Sequence, residues 1–500
     1  MDVLAWEWSW SAVGPTMLFG LLFLVFYEVY RFLLHGNRFP PGPRPWPLLG
    51  NIPQLLMKPA QTFAEIATYG EIASLYLGRK PSIVLNTLQV SKMALVENGA
   101  VFSGRPSLPV LDWIINGRGI VMSNGDSWRQ QRKFASLTLK AFGLGKKSLE
   151  ERVTEEAYYL IDELEKEGEN PFDPQHMIQN AVSNIICSVV FGGRYDYEDK
   201  RFHNLLDIIN ENIFLTGSAL GQIFNLFPFI KHFPGPHQRI QQNASELTGF
   251  ISEEAREHRK TLDKDNLRDF IDAYLVQMEK QESIPNSTFF EENMVFSVAD
   301  LFLAGTDTTS TTIRWGLIYM MEHPHIQEQC HKEIEYVLGF DRIPSMDDRA
   351  ALPYVYATVH EVQRVGNIVP LGLIHSTTQA TQLKGYYLHK GTNVLVNLTA
   401  ILKDKDHWKY PDTFNPANFL DEKGQFCKNE SFLAFSLGPR VCLGEQLARM
   451  ELFVVFTALL QRLHFSWPPN TAPHDTEGVF GLTRSPKPFK MLCRRRGAKH

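Results

Sequence analysis

At 500 residues and a net charge of −5, the chain is long enough for a large core and too weakly charged to take nucleic acid as its main partner. Its five cysteines, Cys187, Cys330, Cys427, Cys442 and Cys493, are odd in number and widely scattered. That excludes a disulfide framework and suggests a reducing compartment. No central linker or internal repeat divides the sequence, so one large globular unit with an N-terminal appendage is expected.

Residues 12–27 are uncharged and mostly apolar, and with Val29 and Phe32 to Leu34 they approach the ~20 residues that span a bilayer. Trp6, Trp8, Trp10, Tyr27 and Tyr30 flank them as an aromatic belt. Asp2 and Glu7 come before, and Arg31, His35 and Arg38 after, a charge order that leaves the following chain on the cytoplasmic side. A cleavable signal peptide is the alternative, but no small-residue cleavage site is evident. Residues 1–35 are therefore read as a single signal-anchor. Residues 36–53 contain Pro40-Pro-Gly-Pro-Arg-Pro-Trp-Pro47, where the prolines forbid helix and strand and make a stiff connector. Alternation in Ala73–Tyr76 and Ser82–Leu85 around Gly78-Arg-Lys-Pro81 predicts a small hairpin sheet.

Trp128 and Arg132 stand at i and i+4 of a predicted helix and so share a face, either as a ligand clamp or as a cation–π pair. Around them Arg129, Lys133, Lys140, Lys146 and Lys147 make a basic surface, either merely solvated or a dock for an acidic electron donor. From Leu205 to Phe233 the chain is unusually apolar (Ile213-Phe-Leu, Phe224-Asn-Leu-Phe-Pro-Phe229). Glu291 to Glu322 reads as one helix of ~48 Å at 1.5 Å per residue. Its middle, Ala304-Gly-Thr-Asp-Thr-Thr-Ser-Thr-Thr312, is poor helix sequence whose hydroxyls compete for the i−4 carbonyls. Asp307 beside Thr308 offers an acid and a hydroxyl for proton relay, while Ala304 and Gly305 leave room for a small ligand. Glu361 and Arg364 form an i, i+3 pair, which would be worth little if exposed.

The stretch Phe435-Ser-Leu-Gly-Pro-Arg-Val-Cys-Leu-Gly444 precedes a helix whose apolar residues Leu447, Met450, Val454 and Ala458 recur at three and four. Cys442 thus lies at a helix N-terminus, where the dipole and unpaired N–H groups favour a thiolate. Gly438 and Gly444 permit a tight turn and close approach to something flat, and Arg440 adds a cation. A lone cysteine there would be read as structural. Thiolate, turn and arginine together describe an axial ligand for haem iron.

The full pattern Phe-x-x-Gly-x-Arg-x-Cys-x-Gly resembles the haem-binding signature of the cytochrome P450 family. The proline hinge, Trp-x-x-x-Arg, Ala-Gly-x-Asp-Thr, Glu-x-x-Arg and the Cys loop fall in that family's order along essentially the whole chain. Residues 171–198 are similar to its microsomal family-2 members. The resemblance implies a mainly α fold with small β-sheets, a single large catalytic domain (54–500) behind anchor (1–35) and hinge (36–53). It implies haem b on Cys442 as the metal ligand, with Phe435, Gly444 and Ala304 against the cofactor. Arg105, Trp128, Arg132, His375 and Arg440 are implied for the propionates, Asp307 and Thr308 for catalysis, and Glu361 with Arg364 for a structural lock. The usual third partner of that lock is replaced here by Asn418. The implied substrate pocket is Val110, Ile114, Ile115, Phe214, Phe302, Val369, Leu371 and Phe480. The implied activity is a monooxygenase inserting one atom of O₂ into lipophilic substrates, polyunsaturated fatty acids or xenobiotics, by hydroxylation or epoxidation. The implied partners are NADPH–cytochrome P450 reductase, cytochrome b5 and the endoplasmic reticulum membrane, with the catalytic domain on its cytoplasmic face. A thiolate-haem isomerase or peroxide-using enzyme, and a non-catalytic haem-binding sensor, are the alternatives.

Overall fold

The computed structural model describes residues 10–35, 39–142, 147–472 and 475–497. Residues 1–9 of the expected anchor, 36–38 of the hinge and Lys146 of the basic surface lie outside the described residues. The chain divides into two compact units: one runs to Ser103 and takes in Ile374–Asn397, and the other comprises Gly104–Leu373 with Leu398–His500.

In the smaller unit, α1 (Trp10–His35) covers the apolar stretch, with Pro15 inside its first turns. Its Met17 and Phe19 are each 71% exposed, and Leu22, Phe23 and Phe26 are also bare. Among the described residues, however, no helix is long and apolar enough to cross a membrane. The expected spanning anchor is thus seen as an exposed apolar helix, with Glu28 and Arg31 interrupting its C-terminal turns.

The predicted hairpin forms as β1 (Ile72–Leu77) and β2 (Lys80–Leu85), antiparallel with Ala73 opposite Val84. β3 is His375–Ser376 and β4 is Asn393–Val396. β2 pairs in parallel with β4, which pairs antiparallel with β3. Chain that returns hundreds of residues later thus completes the sheet, as a parallel pair requires. The proline hinge is no free spacer, for it zips onto β1. Ser74 N–H donates to Pro41 O at 2.8 Å, and Asn51 and Tyr76 pair through Asn51 N–H and Tyr76 N–H. A Cβ on Gly42 would come within 2.0 Å of Ser74 O, so the approach requires glycine.

The larger unit is helical. α2 is Gly125–Ala141, α3 Lys147–Lys166, α4 Gln175–Val190, α5 Lys200–Gly217, α6 Pro236–Thr261 and α7 Phe270–Lys280. α8 then covers Glu291–Glu322, the span its sequence predicts, followed by α9 (Pro353–Gly366) and α10 (Glu445–Arg462). Its first turn carries Glu291 and Glu292, favourable at the positive end of a helix. α8 packs against α4, α6, α9 and α10, and such burial of apolar area stabilises at about 25 cal/mol per Å². Trp315, Phe453 and Phe302 are fully buried there. A short hairpin, β5 (Val479–Phe480) with β6 (Arg484–Ser485), comes close to the end of α5, where Leu482 N–H donates to Ile213 O.

Candidate active site

The Cys442 loop is built by two left-handed residues, Ser436 (φ 63°) and Gly438 (φ 75°), and Cys442 N–H closes it by donating to Phe435 O at 3.0 Å. Gly444 caps α10. The Cys442 side chain is accessible to solvent, although protein surrounds most of it. That burial pushes the thiol above its ordinary value; Gly444 N–H and the Arg132 cation act the other way, and Glu445 adds to the rise. A metal cation would complete the thiol's deprotonation, as metal binding to thiols does generally.

Three guanidiniums crowd beside this loop. Arg440 donates to Ile120 O at 3.3 Å and Ser123 O at 2.6 Å, Arg105 to Val121 O at 3.1 Å and Leu373 O at 3.0 Å, and Arg132 to Val441 O. The cation over the ring of Trp128 is Arg440, at 3.8 Å, in place of the expected Arg132. Burial, with Arg132 close by, lowers Arg105 to about 10; burial with both neighbouring guanidiniums lowers Arg440 to about 8. Buried cations that repel one another are the environment a dianionic ligand relieves. Trp128 Nε1 is buried and lacks a hydrogen-bond partner among the described residues. An orphan donor, clustered cations and an accessible thiol fit a flat ligand with two carboxylates and a metal centre. His375 belongs to the smaller unit, where it is buried on β3 with Nδ1 3.0 Å from Phe102 O.

In the middle of α8 the hydroxyls do bond backward: Thr308 Oγ1 donates to Ala304 O at 2.7 Å, Ser310 Oγ to Thr306 O at 2.7 Å and Thr312 Oγ1 to Thr308 O at 2.8 Å. Ala304 is exposed although it lies in mid-helix, as expected of a residue leaving ligand room. Gly305 differs from expectation, because Ile186 of α4 takes its space; a Cβ there would meet Ile186 Cγ1 at 2.9 Å. Asp307 and Thr308 line different cavities. Thr308 faces a small cavity of about 40 Å³ with Val369, Phe435 and Leu452. Asp307 lines a second, half-open cavity and accepts the Thr483 hydroxyl at 2.8 Å. Burial holds its carboxyl above the usual range.

The expected pocket residues scatter. Val110 is buried with Phe224 and Ile240, and Ile114 packs on that cluster, while Ile115 ends its helix and Leu371 is half-buried. Phe214 is 54% exposed beside the Asp307 cavity, and half-buried Phe480 stands on β5. Phe302 is a core residue, wholly buried with its ring 5.7 Å from Phe191 and 6.4 Å from Phe202.

Glu361 and Arg364 form a fully buried, two-pronged pair, with Nε to Oε2 and Nη2 to Oε1 both at 2.7 Å. Arg364 also donates to Leu402 O, Tyr410 O, Pro411 O and Thr413 O. Asn418 does join the lock, its Nδ2 donating to Glu361 Oε1 at 3.0 Å and to Tyr410 O at 3.0 Å.

Two features were not read from the sequence. Asp300 on α8 accepts Ile120 N–H at 2.6 Å and Val121 N–H at 2.9 Å, fixing the loop whose carbonyls hold Arg105 and Arg440. An acid within an apolar helix was the signal available. Behind the Cys loop, Arg449 joins Glu445 (2.9 Å) to His360 Nε2 (2.7 Å) and lies 5.0 Å over Phe435. Its residues come from distant stretches and carry no joint signal.

A helical body whose accessible cysteine neighbours a cluster of buried arginines defines a haem-thiolate protein. The chain belongs to the cytochrome P450 family: the Cytochrome P450 family model matches residues 40–493. It is 45% identical over 465 residues to cytochrome P450 2B4 of Oryctolagus cuniculus, covering 92% of this chain and 94% of that protein. It is 44% identical over 490 residues to cytochrome P450 2J2 of Homo sapiens, and 45% over 489 residues to cytochrome P450 2J5 of Mus musculus. Both alignments cover 97% of each chain. Proteins of this family use haem with an axial cysteine thiolate and draw on NADPH through a reductase.

Proposed function

We propose that the chain is a haem-thiolate monooxygenase that inserts one atom of O₂ into lipophilic substrates. Cys442 is the metal ligand, Arg105, Trp128, Arg132 and Arg440 are the propionate partners, and Ala304, Phe435 and Gly444 lie against the ring. The observation that carries this reading is the three-guanidinium cluster beside the accessible Cys442 thiol. When bound, haem supplies the reductive activation of O₂. Thr308 holds a hydroxyl at the ligand side of α8, and its donation to Ala304 O leaves its oxygen free to accept. Asp307 supplies an acid near that segment from a neighbouring cavity, its carboxyl held above the usual range by burial. Electrons come from NADPH–cytochrome P450 reductase, with cytochrome b5 as a second donor, docking on the basic surface around Arg129 and Lys133. The exposed apolar face of α1 supports attachment to the endoplasmic reticulum membrane, with the body on the cytoplasmic side. Polyunsaturated fatty acids and apolar xenobiotics are the substrate classes.

The deciding experiment supplies labelled O₂, NADPH and microsomal reductase to the purified protein with a panel of fatty acids and xenobiotics. One labelled atom per product establishes the reaction. Rearranged, unlabelled product would make it an isomerase, and a haem spectrum without any product would leave a sensor.

A further inference from the structure

Asp307, Thr311 and Arg314 stand at i, i+4 and i+7 of α8 and line one cavity of about 140 Å³. Gln179 of α4, Asn210 of α5 and Thr483 of the β5–β6 turn complete its polar wall. That wall is mostly self-satisfied. Gln179 and Asn210 hold each other through two bonds, at 2.8 and 2.9 Å, and Asp307 takes the Thr483 hydroxyl. Arg314 is the exception: it is 5% exposed, and its Nε and Nη2 have no hydrogen-bond partner among the described residues. Asp173 and Asp307 attract it without hydrogen-bonding these two nitrogens. Nε–H and Nη2–H leave one edge of a guanidinium in parallel, the fork that matches the two oxygens of a carboxylate. Burying such a pair of donors unmade costs several kcal/mol in general, so the edge calls for an acceptor. The cavity has room for several groups of water size, each needing about 10–15 Å³. Its lining also has an apolar part, Ile213, Phe214 and Val479, of which Phe214 is 54% exposed.

We propose that this cavity is a carboxylate site, in which the Nε/Nη2 edge of Arg314 holds the acid group of an amphipathic carboxylic acid whose hydrocarbon chain leaves over Ile213 and Phe214. The site goes beyond the oxygenase reading and does not depend on it. Burial holds the Asp307 carboxyl above its usual range, and its oxygen is already taken up by the Thr483 hydroxyl.

The test titrates the purified holoprotein with octanoate, methyl octanoate and acetate by calorimetry, which reads binding whether or not the enzyme turns over. Octanoate should bind at least tenfold more tightly than the ester. Arg314→Lys, which keeps the charge and loses the fork, should weaken octanoate at least tenfold, and Arg314→Gln should abolish the preference for the acid. Gln175→Trp narrows the cavity from its rim without touching a buried charge, and should weaken octanoate even if the arginine variants fold poorly. Equal affinity for acetate and octanoate, lost in Arg314→Gln, would overturn the amphipathic ligand and leave a free small carboxylate as the source. Octanoate binding unchanged in Arg314→Lys and Gln175→Trp, or absent up to about 10 mM, would overturn the site itself.

Discussion

At the residue scale, Cys442 and Thr308 show how one chemical group acquires its role from what surrounds it. Burial pushes the Cys442 thiol above its ordinary value, and under the proposed function a bound metal would favour its deprotonated form. Cys442→Ser should therefore lose the thiolate signature in the reduced, carbon monoxide-bound spectrum; a retained signature would remove Cys442 as the ligand. Thr308 spends its one proton on Ala304 O at 2.7 Å, and its oxygen remains an acceptor. Thr308→Ala should lower product per NADPH severalfold and raise hydrogen peroxide release, while Thr308→Ser keeps coupling near the parent value. Equal coupling in all three proteins would exclude the hydroxyl from proton handling. The Cys loop was legible because all its chemistry lies within ten consecutive residues. Thr483, the partner of Asp307, was not, because 176 positions separate them and only the fold brings them together. The separation of Asp307 from Thr308, by contrast, was legible from the predicted helix, since adjacent helical residues point about 100° apart.

At the element scale, periodicity located helices and strands but not the depth at which they lie. The 32-residue α8 was found with its limits, and the β1–β2 hairpin was found with both strands two residues longer than its pattern marked, Lys80 and Pro81 belonging to β2 and not to the turn. The Glu361–Arg364 pair on α9 shows what such patterns omit: its spacing is that of a surface pair, yet both side chains are wholly buried. A buried ion pair is not stabilising in itself, but removing one partner strands the other, at about 3–5 kcal/mol. Arg364 additionally satisfies four backbone carbonyls, so it closes the segment from Leu402 to Thr413. Arg364→Lys, a point charge without the planar fork, should lower unfolding free energy by about 3 kcal/mol or more in a denaturant titration. Asn418→Ala removes one donor to Glu361 and should cost about 1–3 kcal/mol. If Asn418→Ala costs as much as Arg364→Lys, the lock is centred on the asparagine instead. The N-terminal helix carries exposed apolar side chains over the expected anchor, although among the described residues no helix is long and apolar enough to cross a membrane.

For the whole molecule, the buried titratable groups oppose one another and so place the pH of greatest stability. Burial holds Glu451 at about 8 and Asp300 at about 6, both far above ordinary carboxylates. Between the unfolded and folded values the unfolded chain is ionised and the native group is not. The stability these acids contribute is therefore full below about pH 4 and is lost as pH rises through 6 and then 8. Glu361 and Glu156 are raised too and have the same sign. His360 runs the other way. Burial holds it at about 3, so its contribution is full above pH 6.5 and is lost as pH falls toward 3. Burial lowers His323, His331 and His464 as well, which adds to the loss on the acid side. The two slopes meet near pH 5 to 6, where the midpoint of thermal unfolding should peak. Each pKa unit is worth about 1.4 kcal/mol, so a single buried acid raised by several units can dominate the alkaline limb. Glu451→Gln keeps the shape and the bond to Thr309 without the charge, and should flatten the decline between pH 6 and 8. A decline as steep in Glu451→Gln as in the parent would mean that Glu451 is ionised in the folded protein, and that Asp300 and the other raised acids carry the alkaline limb.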